Sequence, residues 1–198
     1  MENDDSGNLT QVRSFVQGWL HSRNLKAATL SRISGLPPYT LSRILNGKVN
    51  EVELETATRI YRVMYRGMNA IERVQLLQWL GLGTVLETVS ASDAVLHEAE
   101  LPAAGIDRDQ ARTIIEGWLR DNRVSQAELA RRAGIDASRI GRFLRGNIES
   151  KTAARIFGAV HASFDTEQRH SLLRALGLHE IVATVAQSIH EPPGAEAG

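Results

Sequence analysis

An all-α fold, built as two tandem helical bundles of about five or six helices each, is what this sequence predicts, on three observations. No apolar/polar alternation persists and runs of Val, Ile, Thr and aromatic residues are short, so strand signals are missing. Apolar residues recur instead at spacings of three and four, the period of a helix face. The chain also repeats itself. Gln11 to Lys48 aligns without a gap with Gln110 to Asn147 and shares 12 of 38 positions, among them Gly18-Trp19-Leu20 against Gly117-Trp118-Leu119. After a three-residue deletion, Glu55 to Ser92 aligns with Lys151 to Ser188 and shares 13 of 38. Solenoid units run about 20 to 50 residues. This longer period is that of a domain.

The elements follow in order. Ile114, Ile115, Trp118 and Leu119 mark one face of a first helix in copy two, with Trp19 and Leu20 as counterparts in copy one. In copy two the second helix opens on Ser125-Gln126-Ala127-Glu128, which reads as a capping box, and runs to a turn at Gly134. In copy one it opens near Lys26 without a box. The third helix carries Ile140, Phe143 and Leu144 behind an Asp136 N-cap and stops at Gly146; in copy one it is expected to begin at Pro37-Pro38 and to stop at Asn46-Gly47. A fourth holds Ala153, Ala154, Ile156 and Phe157. A fifth starts at Asp165 or Thr166 and runs through Leu172, Leu173 and Leu176, and a short sixth carries Ile181, Val182 and Val185. The domain reading is therefore a disordered segment at 1–10, copy one at 11–92, a linker at 93–109, copy two at 110–190 and a disordered tail at 191–198.

Composition narrows the class. The absence of cysteine removes disulfides, thiolate zinc sites and thiol nucleophiles. No apolar run approaches the ~18 residues of a membrane span, and the acidic start does not read as a signal peptide, so a cytoplasmic protein is expected. Net charge is zero, but its distribution is uneven. From Arg23 to Lys48 there are five basic residues and no acidic ones; from Arg120 to Arg145 seven arginines face Asp121, Glu128 and Asp136. Matching stretches of both copies are basic. A solvated charged face is the bland reading and a polyanion site the functional one.

A short helix, a glycine turn and a second short helix form a helix-turn-helix. The run Ser125 to Gly146, with Ser-Gln opening helix two, Leu129-Ala130 inside it, Gly134-Ile135 at the turn and Ile140 and Leu144 on the inner face of helix three, resembles the lambda-repressor-like, Cro-type (XRE) DNA-binding family. Copy one shares Ala28, Leu30, Gly35-Leu36, Leu41 and Asn46-Gly47-Lys48 with that pattern. The resemblance covers roughly 11–66 and 110–162. It implies that helix three of each copy enters the major groove while the start of helix two meets a phosphate. By resemblance Gln126 would clamp a phosphate. Ala137, Ser138, Gly141 and Arg142, with Arg139 at the edge, face away from Ile140 and Leu144; Arg142 could fork to a guanine, Ala137 meet a thymine methyl and Ser138 serve a base or a phosphate, with Arg145 and Asn147 on the backbone. In copy one Ala27 replaces the clamp, leaving Lys26 as a point charge, and Pro38 and Tyr39 replace Ala137 and Ser138. Its outer residues are Tyr39, Thr40, Ser42 and Arg43, with Lys48 beyond. Copy two is therefore expected to bind DNA better.

Other features read blandly. Trp19 and Trp118 belong to the core, as does Trp79 unless it faces an interface. Three histidines at nine-residue intervals, His161, His170 and His179, would line up only if one helix ran through Asp165. The leucines of the fifth helices are expected in the core, with a dimer face as the alternative. No phosphate loop, His-Glu-x-x-His or nucleophile with its base occurs, so no enzyme and no cofactor is expected. The reading is a regulator of a bacterium or phage, expected to be a repressor, that binds double-stranded DNA at two half-sites and associates with the nucleoid when bound. A homodimer or protein partner through the extra helices is kept open. The rival reading is a protein-interaction adaptor in which one or both units bind a protein.

Overall fold

Two runs of helices repeat one order. The computed structural model describes residues 5–49, 52–88, 106–179 and 181–182. Unit one comprises α1 (Asp5–Ser22), α2 (Ala27–Ile33), α3 (Thr40–Leu45), α4 (Leu54–Met64) with a 3-10 turn at Tyr65–Gly67, α5 (Ala70–Trp79) and α6 (Gly83–Thr88). Unit two comprises α7 (Arg108–Asp121), α8 (Gln126–Ala133), α9 (Ala137–Leu144), α10 (Ser150–His161) and α11 (Thr166–Ala175). Among the described residues there is no strand beyond one isolated bridge, and no helix is long and apolar enough to cross a membrane.

Several boundaries differ from expectation. Residues 5–10 are helical, so the expected disordered start of 1–10 is corrected from Asp5 onward. The linker expected at 93–109 lies outside the described residues up to 105, and its last residues belong to α7, where Asp107 accepts the Gln110 N–H at 2.9 Å. Val185 and the tail 191–198 also lie outside. In copy one the third helix starts at Thr40, not at Pro37-Pro38. Pro38 disfavours the helical region for Pro37 before it. The two prolines make a turn instead, closed by the Thr40 N–H on the Pro37 carbonyl at 3.0 Å.

Capping fixes the other starts only in part. Ser125 accepts the Glu128 N–H at 3.1 Å, but the Glu128 carboxylate does not reach back; it takes Arg131 and Arg132 instead. The full reciprocal boxes occur at Asn69/Glu72 of α5 and Asp165/Gln168 of α11. Asp136 sits at the N-cap of α9 without a side-chain bond. Because Asp165 opens a new helix, His161 and His170 stand on separate elements.

The helices of both units pack around one continuous hydrophobic core. Trp19 and Trp118 are buried, as are Leu76, Leu77, Leu172 and Leu173, so these leucines are core and form no free face. The Trp79 side chain lies outside the described residues. The Trp118 indole N–H donates to Ser163 Oγ at 2.6 Å. Gly67 holds the matching place in unit one, and there the Arg23 guanidinium lies over Trp19 at 4.5 Å and donates to the Gly67 carbonyl.

The units join along a seam. Leu54 N–H donates to the Ile148 carbonyl at 2.9 Å and Ser150 N–H to the Val52 carbonyl at 3.0 Å, bracketing an antiparallel bridge between Glu53 and Glu149. Arg108 of unit two reaches Glu55 of unit one at 3.3 Å. Helix α4 packs on α10, and α6 crosses onto α10 where Gly158 leaves room for Thr84 and Thr88. Ser163→Ala is expected to lower stability by about 1–3 kcal/mol, the cost of leaving a buried indole N–H unpaired. Urea unfolding followed by tryptophan fluorescence measures it; an unchanged midpoint contradicts it.

Candidate nucleic-acid interface

The corner between the second and third helices depends on one glycine. Gly35 and Gly134 adopt φ of 66° and 63°, the left-handed region where a side chain costs about 1–2 kcal/mol. The next residue then turns back: Leu36 N–H reaches the Ser31 carbonyl at 2.8 Å, and Ile135 N–H the Ala130 carbonyl at 2.9 Å. A clamp repeats on both corners. Arg59 Nη1 donates to the Gly35 carbonyl at 2.7 Å, and Arg155 Nη1 to the Gly134 carbonyl at 2.6 Å. Sequence reasoning missed this pair, because the charge argument treats every arginine as surface. The signal was present: Arg59 and Arg155 are the same residue at the same place in the repeat.

The corner sets the aim of the third helix. In α9, Ile140, Phe143 and Leu144 are buried, leaving Ala137 and Ser138 exposed and Arg139, Gly141 and Arg142 half-buried on the outer side. In α3, Leu41, Ile44 and Leu45 are buried, leaving Arg43 exposed and Thr40 and Ser42 half-buried. Tyr39, at the N-cap of α3, is 77% exposed, and Pro38 beside it is exposed. Gln126 is the first residue of α8 and exposed, as are Lys26, Lys48, Arg145 and Asn147. The expected residues thus lie on the outer side of each corner.

Charge divides the two units. In unit two Glu128 binds Arg131 at 2.8 Å and Arg132 at 2.9 Å, and hydrogen bonds from Arg132 and Arg131 hold its carboxyl below the ordinary glutamate range. Glu149, nearly buried, reaches Arg139 at 3.3 Å and Arg142 at 3.2 Å and also accepts from Thr152 Oγ1. Four of the seven arginines counted from the sequence are therefore paired with carboxylates. In unit one Lys26, Arg32, Arg43 and Lys48 are exposed and form no ion pair among the described residues. Burial and pairing leave unit one the less neutralised of the two faces.

The family comparison falls on this unit. Residues 17–64 match the model of the Cro/C1-type HTH DNA-binding domain. Unit one contains a Cro/C1-type helix-turn-helix domain. The matched residues span the end of α1 through α4, so they include the Gly35 turn and α3. It is a non-catalytic DNA-binding module. Neither a curated protein nor a solved structure matches the chain. The match lands on the copy that departs further from the Ser-Gln pattern.

Two outcomes test the geometry. Gly134→Ala is expected to cost about 1–2 kcal/mol. The added Cβ meets nothing nearer than Arg155 at 3.8 Å, so the cost is backbone conformation alone, and no shift in the unfolding midpoint sinks it. The Glu128 carboxyl is expected to titrate by NMR below the ordinary glutamate range. Its stabilising effect is full at neutral pH and fades as pH falls through the lowered value.

Proposed function

We propose that the chain is a sequence-specific regulator that reads duplex DNA with α3 and α9, one half-site for each. One observation carries the reading. The Cro/C1-type domain exposes four cations that form no ion pair among the described residues, around a corner whose helix α3 turns Thr40, Ser42 and Arg43 outward. Exposed cations neutralise phosphates and set affinity, whereas base contacts choose the site. Arg43 and Arg142 occupy matching outer positions, each suited to the O6 and N7 of guanine. Gln126, at the start of α8, adds a phosphate contact in unit two, with Arg145 and Asn147 beyond α9 and Lys48 beyond α3. In unit one Lys26 takes the phosphate and Tyr39 borders the groove.

The sequence favoured unit two as the better reader. The ion pairs favour unit one, because Arg142 must leave Glu149 before it can fork to a base. Occupation of a promoter site without any reaction makes repression the expected output, in a cytoplasm where the protein partitions to the nucleoid.

A second reading has its own support. Ile33, 51% exposed, stands where unit two has Arg132, and with Tyr39 it gives unit one an apolar outer edge. In that reading unit one binds a protein and unit two alone binds DNA.

Selection from a random duplex pool, followed by salt titration of the winner, separates the two. Arg43→Ala is expected to weaken binding by about 1–3 kcal/mol and to relax one base preference in one half, and Arg142→Ala to do the same in the other. Loss confined to Arg142→Ala supports the mixed reading. A duplex affinity that is flat with salt overturns both.

A further inference from the structure

The seam has a symmetry that bears on the shape of the DNA site. Extending the offset of the second aligned block back by three residues pairs Val52 with Ile148, Glu53 with Glu149 and Leu54 with Ser150. The two seam bonds, Leu54 to Ile148 and Ser150 to Val52, are then images of each other, and Glu53 faces its own counterpart. A contact in which i meets j and j meets i is what a two-fold axis produces. Packing of α4 on α10, again counterpart on counterpart, fits the same axis. The axis passes between Glu53 and Glu149.

It also orients the reading helices. Residues directly opposed in an antiparallel pair send their side chains to one face of the ribbon. Glu149 reaches Arg139 and Arg142 on the outer side of α9, so that side of α9 lies where Glu149 points. The axis carries those two positions onto Thr40 and Arg43 of α3. Both outer faces therefore border the same side of the seam, and their helices run in opposite senses across it.

We infer that one chain by itself occupies a complete two-part DNA site whose halves run in opposite directions, differ in sequence and have a spacing set by the seam. This rests on the reading of α3 and α9 as DNA-reading helices. Opposite polarity follows from the axis, since a direct repeat needs a translation that these contacts do not provide. Difference in sequence follows from Tyr39, Thr40, Ser42 and Arg43 on one side against Ser138, Arg139 and Arg142 on the other. Fixed spacing follows from the tightness of the joint. Leu54 and Ile148 are buried in it, and a Cβ on Gly81 would stand 3.2 Å from the Lys151 backbone nitrogen. One chain suffices because the self-complementary surface that would recruit a second copy is already used within the chain.

The test starts from a site selected by the full-length protein from a random-core duplex pool. Its halves are then rebuilt as inverted and direct repeats, and with 5 base pairs inserted between them. Expected are a 1:1 complex by sedimentation, a preference for the inverted order, and at least a tenfold loss on insertion, since half a helical turn puts the second half out of reach and removes the gain from linkage. Two chains per site, equal binding to direct repeats, tolerance of the insertion, or a lone half-site each overturn the inference while leaving DNA reading intact. No enriched duplex removes the DNA reading itself, and the inference with it.

Ser150→Pro probes the ruler. It removes the seam N–H and the Ser150 hydroxyl, which also donates to Val52. Proline is accepted at the first position of a helix, and Glu149 before it is already extended at φ −78° and ψ 140°. With helicity kept by circular dichroism, the variant is expected to bind the original and lengthened sites within about threefold of each other, the linkage gain being spread over more spacings. Undiminished discrimination overturns the seam as the ruler.

Discussion

The fourth helix of each unit begins with a backbone N–H that has no partner inside its own helix, and the other unit supplies one. Leu54 and Ser150 open α4 and α10, and their N–H groups would be orphan donors at a helix start. Each finds a carbonyl across the seam, at Ile148 and Val52. Leu54 and Ser150 are both buried, so water cannot readily replace those bonds. Separating the units would strand two donors and expose the α4, α6 and α10 contacts together. The arrangement of the chain depends on this short exchange of backbone bonds, and the placement of both corners follows from it.

Within each unit the same economy appears at the corner. A left-handed glycine, a returning N–H and an arginine on the glycine carbonyl recur in both copies. The corner backbone is thus kept while the outer chemistry diverges. Unit one carries proline and tyrosine at the entrance of α3, and its Lys26, Arg32, Arg43 and Lys48 form no ion pair among the described residues. Unit two carries small polar residues at α9 and arginines held by Glu128 and Glu149. Like scaffolds with unlike surfaces suit a protein whose two halves meet different partners or different sequences.

Much of this was legible residue by residue. Periodicity of three and four placed the apolar faces of α7 to α11 because burial of Trp, Leu and Ile on one side is a local pattern. Gly35, Gly47, Gly134 and Gly146 marked turns for a local reason as well, the freedom of glycine at positive φ. Local rules erred where two of them competed. The Pro37-Pro38 pair satisfied the rule for helix starts, yet the restriction that Pro38 places on Pro37 delayed α3 to Thr40. At Ser125 the capping-box pattern predicted a reach-back by Glu128, and two neighbouring arginines took the carboxylate instead.

The sequence by itself determined the helical class, the internal repeat, the glycine corners and the outward positions of α3 and α9. These are set by contacts a few residues apart and by the spacing of apolar side chains. Only the tertiary structure decided which charges remain available and how the halves face each other. Glu149 lies 7 and 10 positions from Arg142 and Arg139, and the seam joins residues 94 and 98 positions apart. Such pairings depend on how packed helices converge, which spacing along the chain does not encode. The basic surplus counted along α8 and α9 was real as composition. Folding set carboxylates against it, and left the freer cations on the other unit.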